Sequence, residues 1–137
     1  MKLSTDWTLY YKKTPSYTSF TRFCSRLKIK RVLKKHIKLD DFSICELGGG
    51  NSFIAESITN NFSVNSYHVV DSNALGLELF SRLNLSCDAS FECADILNME
   101  SAKTYDLVFS VGLIEHFDTE GTKNAILTHI NNCKDGG

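Results

Sequence analysis

From residue 42 to residue 111 the chain repeats one pattern: a short apolar run, a polar or glycine-rich break, and a stretch with helical spacing. Phe42-Ser43-Ile44-Cys45-Glu46-Leu47 is the first run. Val64 to Val70 is the second and stops at Asp71; Ser90 to Ala94 is the third and stops at Asp95. Tyr105 to Val111 is the fourth and carries the strongest strand signal. Helical stretches are expected over Phe53 to Asn61, after Asn73, and from about Thr119 to Cys133. Asn73 is a suitable cap for the middle one, which carries Leu75, Leu77, Leu79 and Phe80. Strands alternating with helices specify a parallel sheet built from right-handed crossovers. Ligands bind such sheets beyond the carboxyl ends of the strands, where the strand order reverses.

Length and composition bound the rest. A chain of 137 residues, 42% of them hydrophobic, is one domain with enough apolar material for a core. No apolar run approaches the roughly 20 residues that span a bilayer. Met1 to Tyr10 lacks the hydrophobic stretch of a secretory signal, so a cytoplasmic protein without membrane contact is expected. Cys24, Cys45, Cys87, Cys93 and Cys133 are scattered, with no CxxC pair and no histidine at zinc-ligand spacing. They read as free thiols, and no metal site is expected.

The formal charge of −1 is a cancellation. Residues 1–39 hold eleven of the fifteen Lys and Arg against a single acid, Asp6, whereas residues 40–137 hold the other fifteen acids. From Ser16 to Leu39 the spacing is helical, with Phe20, Cys24 and Leu27 on one stripe and Ile29, Leu33 and Ile37 on a neighbouring one. Residues 1–41 therefore form a basic helical segment and residues 42–137 the sheet-bearing core. The basic face suits a solvated helix packed on an acidic body best, contact with an anionic substrate next, and a nucleic-acid surface least. A nucleic-acid site would show steeply salt-dependent binding.

Glu46-Leu47-Gly48-Gly49-Gly50-Asn51-Ser52 turns the chain after the first strand, and its glycines let a ligand approach the backbone. The helix that follows aims amide donors at that position. Alone, such a cluster is equally a tight turn. A dinucleotide fingerprint requires a small residue at position 53, which is Phe53, and a phosphate-binding P-loop requires Lys before Ser or Thr. Neither fits, so a nicotinamide oxidoreductase is disfavoured. Asp71 ends the second strand 21 residues past Gly50, where a carboxylate can accept from two ribose hydroxyls. Asp95 ends the third. Taken singly, each is more often a cap or a solvated turn residue than a ligand contact.

Together, Glu46-x-Gly48-x-Gly50, Asp71, Ala94-Asp95, Tyr105 to Ser110 and Glu115-His116-Phe117 resemble the class I S-adenosylmethionine-dependent methyltransferases. The resemblance covers about residues 42–137 and implies an α/β, Rossmann-like parallel sheet with flanking helices. It implies S-adenosyl-L-methionine as cofactor and methyl transfer to a small-molecule acceptor, since no Asn/Asp-Pro-Pro-Tyr type motif of base-modifying enzymes is present. Carried over by residue, Glu46, Gly48, Gly49 and Gly50 would surround the methionine part. Asp71 and Ser72 would hold the ribose, Asp95 the adenine amino group, and the Ile96 amide a ring nitrogen. Ser110 and Val111 would floor the site near the sulfonium. Trp7, Tyr10, Tyr11 and Tyr17 are candidates to cover the cofactor. His116 is the available base for an acceptor that must lose a proton, and a structural residue otherwise.

Two departures accompany the resemblance. Ser52 replaces the third glycine of the usual loop, with a hydroxyl able to cap the next helix. Lys134-Asp135-Gly136-Gly137 resembles the turn before the family's fifth strand, so the sequence is expected to be a fragment holding the cofactor half. The fourth strand would then be an apolar edge open to pairing with a second chain. The alternative from another class is a non-catalytic module that binds S-adenosylmethionine or a protein partner.

Overall fold

The computed structural model describes residues 6–13, 18–38, 40–100 and 104–137. Four parallel strands form one sheet: β1 (Phe42–Leu47), β2 (Val64–Asp71), β3 (Asp88–Cys93) and β4 (Leu107–Phe109), in the order β3-β2-β1-β4. Among the described residues five α-helices accompany them: α1 (Trp7–Lys12), α2 (Thr18–His36), α3 (Ala55–Thr59), α4 (Ala74–Ser81) and α5 (Thr119–Asn132). The chain walks outward from β1 through β2 to β3, then returns across the sheet to place β4 on the other side of β1. That reversal opens a crevice over the carboxyl ends of β1 and β4.

β1 is central, and its alternating side chains feed both faces of the sheet. Phe42 and Ile44 join Ile54, Ile58, Tyr67, Val69, Leu77 and Phe80 on one face. Cys45 and Leu47 join Val70, Ile96 and Ala125 on the other, under α5. Glu46 falls on the first face, a carboxylate 2% exposed in an otherwise apolar row. The expected bounds hold for β1. β3 begins two residues earlier than expected because Asp88–Cys93 is an exposed edge strand without an apolar pattern. β4 is shorter than Tyr105 to Val111. Tyr105 bridges Cys133, and Asp106 turns its carboxylate back to β1.

α2 separates the two stripes read in the sequence. Leu33 is buried and Ile29 and Ile37 pack beside it, while Phe20 and Leu27 stay exposed. The outward face of α5 likewise exposes Ile126, Leu127 and Ile130. Among the described residues no helix is long and apolar enough to cross a membrane.

Asp106 ties the start of β4 to β1. Its Oδ2 accepts from Ser43 N at 2.9 Å and Ser43 Oγ at 2.7 Å, and its Oδ1 from Lys134 Nζ at 3.0 Å. The Ser43 bonds, then Lys134, hold its carboxyl below the ordinary range, at about 2. A depressed acid contributes stability that is complete above its unfolded value of about 3.9 and disappears as pH falls toward the folded value. Asp106→Ala is expected to lower stability by about 1–2 kcal/mol at neutral pH, since its side chain is partly exposed. Urea unfolding at pH 7 and near pH 2 checks this: the difference between the two proteins should shrink at the lower pH.

Candidate functional site

The crevice floor is the turn that leaves β1. Gly48 N donates to Val70 O at 2.7 Å, which anchors the turn to β2, and Ser52 N donates to Gly49 O at 2.7 Å. Gly49 lies against the Glu46 side chain: a Cβ there would stand 2.8 Å from the Glu46 carboxyl carbon. Gly50 has φ +49°, and the Tyr11 ring covers it where a side chain would project. Ser52, read as a possible cap, is not the N-cap residue of α3, which is Ile54, but its Oγ accepts from Ala55 N at 3.2 Å at the helix start. The helix runs from Ala55 to Thr59, two residues shorter at each end than the sequence spacing suggests.

The same Ser52 hydroxyl donates to Glu46 Oε2, and Tyr67 Oη donates to that oxygen at 2.7 Å. A carboxylate on β1 is thus gripped by the loop it precedes and by a tyrosine of β2. Burial pushes the Glu46 carboxyl up, the Ser52 and Tyr67 hydrogen bonds pull it back, and the Asp71 charge adds to the rise. Tyr67 is raised well above its ordinary value, chiefly by burial and then by Glu46.

Asp71, at the tip of β2, accepts from Asn73 N at 2.7 Å. Burial raises its carboxyl, and the amides of Asn73, Gly50 and Ser72 oppose that rise. Asn73 caps α4 through Gly76 N at 3.0 Å, and its amide group donates to Thr8 Oγ1 at 3.0 Å, docking α1 on α4. Asp95 caps the short 3-10 turn Ile96–Asn98, accepting from Leu97 N at 3.0 Å and from the Asn98 amide at 2.8 Å. Its exposed carboxylate retains lone pairs for a further donor.

Two adjoining cavities occupy the crevice. The smaller, about 130 Å³, gathers Gly48, Asp71, Ser72, Asp95 and Ile96, five residues expected at the adenosine and methionine parts. The larger, about 440 Å³, is bordered by Glu46, Gly48, Gly49 and Val111. Trp7, Tyr11, Gly48, Gly112 and His116 line both. The Tyr11 phenol is pushed up by burial first and by Asp71 next, with Arg22 opposing. Trp7 stands edge-on to His116, ring centroids 4.8 Å apart, and to Tyr10 at 5.7 Å. Helix α1 therefore roofs the crevice with aromatic rings. Tyr17, the remaining aromatic candidate, lies outside the described residues.

Two expected residues sit elsewhere. Gly50 is buried beneath Tyr11 and borders neither cavity. Ser110 turns its hydroxyl to His129 Nε2 on α5 at 3.0 Å, while the other ring nitrogen of His129 meets Ala125 O at 2.7 Å. Conversely, Arg22, Phe53, Gly112 and Leu113 border the cavities without having been expected there. Phe53, which argued against a pyrophosphate, is the wall on which Arg22 and Arg26 rest, 5.6 Å and 5.9 Å from the ring centroid.

The donor set fits S-adenosylmethionine. A glycine of the turn meets two strand-end carboxylates, Asp71 and Asp95, in one cleft, with Ser72 and Ile96 beside them. A profile described as a methyltransferase domain matches residues 44–137. The chain belongs to the methyltransferase domain family. No curated protein is similar enough in sequence to count as a match.

Solved structures extend the comparison of this methyltransferase domain. Phosphoethanolamine N-methyltransferase 1 of Haemonchus contortus, in complex with phosphoethanolamine and S-adenosylhomocysteine, is 14% identical with a TM-score of 0.73, over 93% of this chain and 28% of that one. The plantazolicin methyltransferase BpumL, with a desmethyl-plantazolicin analogue and S-adenosylhomocysteine, is 25% identical with a TM-score of 0.65, over 89% and 47%. The sugar N-methyltransferase KedS8 from Streptoalloteichus is 16% identical with a TM-score of 0.70, over 100% and 53%. The domain thus spans between about a quarter and a half of these chains. The expected α/β Rossmann-like architecture is the observed one, and the family match agrees with the expected methyltransferase family.

Proposed function

We propose that this methyltransferase domain binds S-adenosylmethionine across the carboxyl ends of β1, β2 and β3 and takes part in methyl transfer to a small-molecule acceptor. One observation carries the reading: Gly48 of the glycine turn, Asp71 and Asp95, spread over 47 residues of chain, converge on a single cleft beneath the α1 aromatics. Asp71 accepts from the ribose hydroxyls, with Ser72 beside it. Asp95 accepts from the adenine amino group and the Ile96 amide donates to the ring. Glu46, Gly48 and Gly49 border the methionine end, and Val111 the larger cavity.

When bound, the cofactor supplies a methyl already activated on a sulfonium, so alignment is the protein's main task. Trp7 and Tyr11 exclude water from above. His116 borders both cavities and takes the proton of an acceptor that must lose one before or during transfer. The preference for a small acceptor is supported by the similar structures, which are complexes with phosphoethanolamine and with a desmethyl-plantazolicin analogue.

Calorimetric titration with S-adenosylhomocysteine tests the cofactor reading. Saturable one-to-one binding is expected, together with a change in the fluorescence of Trp7, the sole tryptophan, which lines both cavities. A folded chain that binds none of it overturns the reading. His116→Ala is expected to lower turnover of an active enzyme by about 10²–10⁴ with cofactor affinity unchanged, and normal turnover would remove His116 from the chemistry.

A further inference from the structure

Helix α2 carries two apolar stripes, and the fold covers one of them. Leu33 is buried, with Ile29 and Ile37 packed beside it. Phe20, Phe23 and Leu27, spaced i, i+3, i+7 on another side, are 73%, 54% and 48% exposed. At the same helical spacing that stripe continues as Arg31 and Lys34, both exposed, with the exposed Lys28 and Lys35 beside them. Residues 18–36 hold seven Lys and Arg and no acid. Among the described residues none of Lys28, Arg31, Lys34 and Lys35 forms a salt bridge, so the acidic body expected beneath this segment does not neutralise them. The helix dipole favours Lys34 and Lys35 in the last turn, but it does not account for Lys28 or Arg31 further in. One face thus presents exposed apolar side chains at its amino-terminal end and cations without carboxylate partners at its carboxyl-terminal end.

We propose that this outer face of α2 docks on an anionic lipid surface. Phe20, Phe23 and Leu27 enter the boundary between headgroups and acyl chains, and Lys28, Arg31, Lys34 and Lys35 meet the anionic headgroups. Charge selects the occupant: an acid-free cationic face repels a second copy of itself and is drawn to an anionic surface. A nucleic acid supplies the charge, but Leu27 has no ring on which a base stacks, whereas hydrocarbon buries it. The expectation of no membrane contact rested on the lack of a spanning stretch, and a helix lying in the plane of the interface needs none. Thr21, Arg22 and Ser25 of the same helix border the larger cavity, so docking brings the crevice to within about 10 Å, one helix diameter, of the lipid.

Flotation with vesicles makes the test, using phosphatidylcholine alone and phosphatidylcholine mixed with phosphatidylserine. Thermal unfolding run alongside verifies the fold of each variant. The wild type is expected to bind the mixed vesicles at least about tenfold more tightly than the neutral ones, and less tightly as salt is raised. Arg31→Gln with Lys34→Gln should weaken that binding by about tenfold or more. Phe20→Ser with Phe23→Ser should weaken it comparably at unchanged charge, because the inserted stripe is lost. A folded wild type that leaves the mixed vesicles unbound overturns the proposal. Binding that needs the cations and ignores the two phenylalanines overturns it too, by showing a general attraction to polyanions. Tighter binding to single-stranded RNA than to the mixed vesicles assigns the face to nucleic acid, and a dimer dispersed by Phe20→Ser with Phe23→Ser assigns it to a second copy; either result overturns the proposal. None of the four substituted residues lines the cofactor cavities, so failure here leaves the cofactor reading intact.

Discussion

Asp71→Ala is expected to weaken S-adenosylhomocysteine binding by about 100-fold or more, because two hydroxyl donors lose a charged acceptor worth about 1.5–3 kcal/mol per bond. Stability should move little, or in the opposite direction. In the free protein the Asp71 carboxyl is raised by burial, only partly offset by the amides of Asn73, Gly50 and Ser72. A carboxyl raised by folding favours the native state while protonated, and that advantage is lost as pH rises through its folded value. At neutral pH the native chain therefore carries an ionised group it disfavours, which alanine removes. The amides left behind lose an acceptor, and the two effects oppose each other. Parallel calorimetry and urea unfolding at pH 7 decide the matter. Retained affinity in the variant sinks the ribose assignment, and a loss of affinity that tracks a large loss of stability shows Asp71 to be a structural cap.

Gly50→Ala is the second large effect, and it should fall on the roof of the site. Gly50 has φ +49°, a region costing an L-residue about 1–2 kcal/mol. The new Cβ would also enter the space held by the Tyr11 phenol, so either the turn or α1 must move. The expected result is a loss of about 2–4 kcal/mol together with release of the α1 aromatics. A change in Trp7 fluorescence before any unfolding, and weaker binding of S-adenosylhomocysteine, report that release. Tyr11→Ala provides the control. In that background only the backbone component remains, so the two substitutions should be less than additive. Strict additivity would show that Tyr11 does not rest on Gly50.

The Asp71 effect rests on an acid legible at a strand end, whereas the Gly50 effect needs the fold, which alone lays Tyr11 over Gly50. The turn, the strand that feeds it and the Asn73 cap are local matters, decided by glycine positions, short apolar runs and a side chain able to reach its own backbone. The strand-end acids were legible for the same reason, since each closes a run of β-forming residues. β3 was harder to bound: Asp-Ala-Ser-Phe-Glu-Cys has no buried face to mark its start. Ser110 shows another limit. Its place at the end of β4 was readable, but its hydroxyl meets His129, 19 residues later, only because α5 packs back on the sheet.

The amino acids by themselves determined a parallel α/β sheet, a glycine turn after its first strand and carboxylates at the tips of the next two. Periodicity, capping and turn chemistry act over a few residues, and each is written in consecutive positions. Tertiary structure decided what surrounds those carboxylates. It set Tyr67 against Glu46, laid Tyr11 over Gly50, and stood Trp7 beside His116 and Arg22 on Phe53. Those contacts join residues 21 to 109 positions apart, and they exist because the apolar faces of the sheet must be covered and α1 and α2 dock where that covering leaves the crevice open.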